Sequence, residues 1–65
     1  MTWKEARHRS GLSQEDAAEA VGIDANSISR YERGERQPSL FIACRLCRVY
    51  GCSLKDIIGG VSDEL

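Results

Sequence analysis

Neither sign of charge prevails in this 65-residue chain, where nine Lys and Arg stand against ten Asp and Glu for a net charge of −1. That balance excludes a general polyanion binder, because sequence-independent affinity for nucleic acid comes mainly from Lys and Arg at phosphates. Any such role must depend on where the charges sit. Long apolar runs are also missing: no stretch approaches the length of a bilayer-spanning helix, and no apolar leader precedes the first patterned segment. No membrane association is expected, and the expected location is the cytoplasm. The chain has too few residues for two domains. Ordering costs about 1.5 kcal/mol per residue, roughly 100 kcal/mol in all, which a core this small only just offsets. A partner subunit would help.

Histidine occurs once and cysteine three times, an odd number that argues against a disulfide framework and agrees with a reducing compartment. Cys44, Cys47 and Cys52 are spaced C-x2-C-x4-C, but the first two fall in the middle of a helical pattern, where nothing lowers a thiol pKa. A zinc site wants four ligands, usually with loop-borne cysteine pairs, and His8 lies far off near the N-terminus. No metal and no cofactor are expected. His8 lacks a nucleophile or base partner, no phosphate-cradling glycine loop is present, and so short a chain has little room for a substrate pocket. Neither catalysis nor a small-molecule ligand is expected. Composition is otherwise that of an ordinary globular chain, 42% hydrophobic and 29% charged.

What is present is a dense series of helix starts and stops. Thr2 with Glu5 three residues on has capping-box spacing, so a first helix is expected from Trp3 to about Arg9. Ser13 caps a second, Gln14 to Val21. Gly22 can take the positive φ of a helix end, and Ile23 is the apolar residue that closes it. Asp24 is the next cap candidate, for a helix from Ala25 to about Arg33 that Gly34 stops. Only three residues separate these two helices, which forces a close, steep crossing that wants small and apolar contacts; Ala18, Gly22 and Ile28 supply them. Pro38 blocks continuation, and Ser39 caps a fourth helix on which Leu40, Ala43, Leu46, Cys47 and Tyr50 form one inward stripe ending at Gly51. Ser53 caps a short fifth helix, Leu54 to about Ile58. Domain limits of 1–60 follow, with 61–65 as a flexible tail.

GLSQEDAAEAVGIDANSISRYERGERQPSL resembles the helix-turn-helix core of the phage repressor and Cro (Xre-like) family, and the likeness extends from Trp3 to Ile57. It implies an all-α, compact five-helix lambda-repressor-like DNA-binding domain whose helices 2 and 3 form the helix-turn-helix. It implies as well a partly buried ion pair between Arg7 and Glu32, an architectural role for both. Relatives usually carry aliphatic residues where this chain has Trp3, Ala6 and Ala17, so a volume swap is expected in which Trp3 fills the space left by the two alanines. Trp3→Ala would then cost about 3–5 kcal/mol. Cys47 and Cys52 stand where similar sequences carry Ala and Val, and read as small core residues.

The second helix of such a motif lies in the major groove with its N-terminal residues at base edges. Ala25, Asn26, Ser27 and Arg30 are therefore the expected base-reading set: Asn26 suits adenine, Arg30 suits guanine, and Ala25 a thymine methyl. Gln14, at a helix N-terminus, and Arg33 and Arg36 are the expected phosphate contacts. His8 is expected on the surface near that edge. Phe41, Ile42, Val49, Ile58 and Val61 exceed what a core this small can enclose, so a dimer interface is expected, built from Ile58 and Val61 with Phe41 or Val49. The function this implies is a sequence-specific transcriptional regulator of double-stranded DNA, a dimeric repressor on a palindromic operator. The alternative is a protein-interaction module of the same fold, antitoxin-like or adaptor, with weak or no DNA binding.

Overall fold

The computed structural model describes residues 1–57, and over them the chain is all helical. Four helices are complete: α1 Trp3–Ser10, α2 Gln14–Val21, α3 Ala25–Glu32 and α4 Leu40–Tyr50. A fifth, α5, occupies residues 54–57 at the end of the described chain. The caps lie where the residue types put them. Thr2 and Glu5 complete a reciprocal capping box, and the Ser13 and Ser39 hydroxyls accept the backbone N–H of Asp16 and Ile42. Asp24 differs. Its backbone has the extended geometry of a cap, but its carboxylate accepts the Ser27 hydroxyl at 2.6 Å instead of a backbone N–H. The third helix stops one residue earlier than its spacing suggests, with Arg33 as the cap.

The helix ends share one device. The residue after each left-handed glycine returns its N–H to a carbonyl five residues back: Leu12 to Arg7 at 3.4 Å, and Ile23 to Ala18, Glu35 to Arg30 and Cys52 to Cys47, each at 3.0 Å. Such an end needs a left-handed residue, which Gly22 supplies at φ 88°. A Cβ there would meet nothing within 4 Å, so the demand is for the backbone angle alone. The pair brought together at each end then takes a role from its residue types, apolar in Ala18 with Ile23 and charged in Arg30 with Glu35.

Ala6, Ala17, Ala18, Val21, Ile28, Leu46 and Tyr50 form the buried core, and Trp3, Leu12, Ile23, Ile42, Val49 and Ile57 pack around it half-buried. Ala17 and Ala18 are the reason α2 can approach its neighbours closely: at 0% and 3% exposure, neither has room for a larger side chain. One expectation about packing needs correction. Leu40 begins α4 but does not join its inward stripe; it is 70% exposed, because the stripe turns inward only from Ala43. Trp3 packs, partly exposed, against the core cluster that holds Ala6 and Ala17. Val49 is half-buried against the core, Phe41 is 67% exposed, and Ile58 and Val61 lie outside the described residues.

Candidate nucleic-acid interface

A buried ionic clasp sets the position of α3. Arg7 of α1 donates to Glu32 through Nε at 2.6 Å and a terminal nitrogen at 3.3 Å, and to the Leu12 carbonyl at 2.9 Å. Side-chain exposure is 10% for Arg7 and 5% for Glu32. Burial raises the Glu32 pKa, but the hydrogen bonds from Arg7 and Gln14 outweigh it and hold the carboxyl below its usual range. Arg7 also approaches Nε2 of the exposed His8 at 3.2 Å, a contact in which the ring nitrogen must accept, since a guanidinium only donates. Three segments of the fold, α1, the start of α2 and the end of α3, therefore converge on one carboxylate.

Gln14 belongs to that clasp. Its side-chain nitrogen donates to Glu32 Oε1 at 3.1 Å, so it is half-buried and oriented from within, while still standing at the first turn of α2. On α3, Ile28 is buried and Tyr31 half-buried, which turns Asn26 and Arg30 outward. Both are exposed, and among the described residues neither side chain makes a hydrogen bond within the chain. Ala25 is half-buried against the core and presents only part of its methyl. Ser27 is half-buried, with its hydroxyl proton committed to Asp24; that bond in turn holds the Asp24 carboxyl below its ordinary pKa.

The basic residues past α3 are arranged unequally. Arg36 is exposed on the following loop. Arg33 is engaged on two sides, to Glu35 through Nε at 2.8 Å and a terminal nitrogen at 3.2 Å, and to the Ser29 hydroxyl at 2.7 Å. Sequence reasoning missed Glu35 and Ser29 as members of this surface. The signal available for them was spacing: Ser29 is one helical turn before Arg33, and Glu35 immediately follows the glycine that ends the helix.

The cysteines are apart from this surface. Cys44 is exposed, Cys47 is buried, and Cys52 is half-buried on the core. Burial, then the adjacent Cys52 thiol, pushes the Cys47 thiol up to about 12. Among the described residues no three His, Cys, Asp or Glu side chains are placed to share a metal ion, and no helix is long and apolar enough to cross a membrane.

Two helices joined by a three-residue corner, with the second turning a polar face outward, define a helix-turn-helix, and the family model of that description matches residues 4–57. The chain belongs to the Xre-like helix-turn-helix family of DNA-binding transcriptional regulators. It is 35% identical over 54 residues to the uncharacterized HTH-type transcriptional regulator YgzD of Bacillus subtilis, covering 83% of this chain and 82% of that one. It is 38% identical over 56 residues to the HTH-type transcriptional regulator ImmR of the same organism, where the match takes 86% of this chain but 44% of ImmR. The antitoxin PezA of Streptococcus pneumoniae is also 38% identical over 56 residues, which is 86% of this chain and 35% of PezA. No solved structure matches the chain.

Proposed function

We propose that this chain is a sequence-specific repressor of transcription that binds a palindromic operator as a homodimer and reads the major groove with α3. The observation that carries it is the contrast along α3. Glu32 is tied inward by Arg7 and Gln14, whereas Asn26 and Arg30 on the outward face are left without a partner among the described residues. An exposed amide and an exposed guanidinium one turn apart are the two groups best able to bond bidentately to adenine and guanine edges. Gln14, Arg33 and Arg36 would flank them at phosphates, where they position the helix without specifying sequence.

Dimerisation is inferred from geometry and from exposed apolar surface. A symmetric dimer brings two reading helices to successive major grooves about 34 Å apart and doubles the phosphate contacts of a chain that carries no net positive charge. Phe41, with the Arg45 guanidinium 5.4 Å above its ring, and Leu40 are the exposed large apolar side chains of α4.

One observation favours a second reading as a protein-interaction module. A cleft of about 580 Å³ runs beside Trp3, Tyr31, Pro38, Leu40, Leu54 and Ile57, and its apolar walls could receive another protein. Binding to labelled duplexes from around the protein's own coding region, measured against random sequence, decides between the two. Preference for one native segment, lost in Arg30→Ala with the fold intact, supports the repressor; no binding to any duplex at low salt supports the interaction module.

A further inference from the structure

The loop after α3 places a negative charge among the residues that would meet DNA. Arg33 and Glu35 form a two-point pair, Nε to Oε2 at 2.8 Å and a terminal nitrogen to Oε1 at 3.2 Å. The position of Glu35 is built into the helix end. Gly34 takes φ 75°, and the Glu35 N–H returns to the Arg30 carbonyl at 3.0 Å. One carboxylate is thereby anchored beside two arginines of the proposed DNA surface, Arg30 by the backbone and Arg33 by the side chain. Arg33 is additionally held by Ser29, so its fork is preset in one direction, toward Glu35.

A guanidinium meets a carboxylate and a phosphate through the same paired N–H geometry. We infer that Glu35 is an internal stand-in for a DNA phosphate, occupying Arg33 in the unbound protein and holding down its sequence-independent affinity for DNA. The inference rests on the DNA-binding function proposed above. Side-chain exposure of 53% and 56% makes the pair one that a phosphate can displace, since solvent-exposed ion pairs are weakly held. Binding must then exchange one partner for another, and the pair contributes less to counterion release than an unpaired arginine would. Glu35 acts through Arg33 and is a positioning and affinity-setting residue, not a DNA contact.

Glu35→Gln tests this with little change of shape, because glutamine retains an oxygen that can accept from Arg33 while the charge is removed. Fluorescence anisotropy with a labelled random-sequence duplex, over a series of salt concentrations, is the measurement. Glu35→Gln is expected to bind about two- to fivefold tighter than wild type at low salt, with a log–log salt slope steeper by about one. Adding Arg33→Ala should abolish both gains. The unfolding midpoint of Glu35→Gln should stay within a few degrees of wild type, which separates the charge effect from loop damage. A wild type that binds, with Glu35→Gln unchanged in affinity and slope, overturns the role of Glu35 alone; so does a gain that survives Arg33→Ala. If neither protein binds any duplex, the DNA-binding function falls and this inference falls with it.

Discussion

Arg7 and Glu32, 25 positions apart in sequence, meet through a 2.6 Å Nε to Oε2 hydrogen bond that ties α1 to the last turn of α3. Removing Arg7 would strand a carboxylate that is 5% exposed, and losing one partner of a buried pair costs about 3–5 kcal/mol. Arg7→Ala is therefore expected to lower the urea midpoint severely, or to leave a chain this small unfolded. Replacing both partners together, Arg7→Met with Glu32→Met, should recover most of the loss. A single variant within about 1 kcal/mol of wild type would show that the pair holds nothing in place.

The same pair predicts how stability responds to acid. The carboxyl of Glu32 is held below its ordinary value of 4.5, so the unfolded chain takes up its proton first as pH falls. The stabilisation it supplies is complete above pH 4.5 and is lost as pH drops through the lower folded-state pKa. Thermal midpoints should thus be level from neutral pH down to about 5 and decline below 4.5. Glu32→Gln should start lower at pH 7 and decline less steeply through that window. Parallel curves for the two proteins would remove Glu32 from the acid transition.

On α3 the expected effects divide between base and backbone. Asn26→Ala and Arg30→Ala should each lose about 1–3 kcal/mol of discrimination at one base pair, with the fold unchanged. Arg36→Ala should weaken binding to every sequence and lower the salt slope by about one. Equal losses on specific and random duplexes for Arg30→Ala would take it off the base edges.

Trp3 offers a check on packing. Its half-buried position at the core margin reduces the expected cost of Trp3→Ala to about 2–3 kcal/mol, below the 3–5 kcal/mol of an interior tryptophan. A loss at the upper end would support its filling the space left by Ala6 and Ala17.

Association can be read at Phe41. Phe41→Ser removes an apolar ring that is 67% exposed, so it should shift sedimentation toward monomer and lower the unfolding midpoint only by the concentration-dependent part that association supplies. If the wild type is monomeric at micromolar concentration and binds a half-site as tightly as a palindrome, the dimer is excluded.

Apart from the cap and end of α3, the helix boundaries followed from local chemistry. Thr2, Ser13 and Ser39 satisfy the first-turn N–H groups within three residues of themselves, and Gly22 and Gly51 reverse the chain at angles that other residues rarely adopt. The outward face of α3 was legible for the same reason, since burying Ile28 turns Asn26 and Arg30 away by helical periodicity. The Arg7–Glu32 pair is a different case: its spacing carries no signal, and it was reached through likeness to related sequences. Only tertiary structure decided that Leu40 stays outside the stripe to which its spacing assigns it, while Ile42, left out of that stripe, packs against the core. It also decided which polar side chains are available. Gln14 was expected at a phosphate from its place at a helix N-terminus and Arg33 from its charge beyond the reading helix, yet one is held by Glu32 and the other by Glu35 and Ser29. A side chain's type states what it can bond; which partner lies within 3 Å depends on where the backbone has carried its neighbours, and that is settled only when the helices have packed.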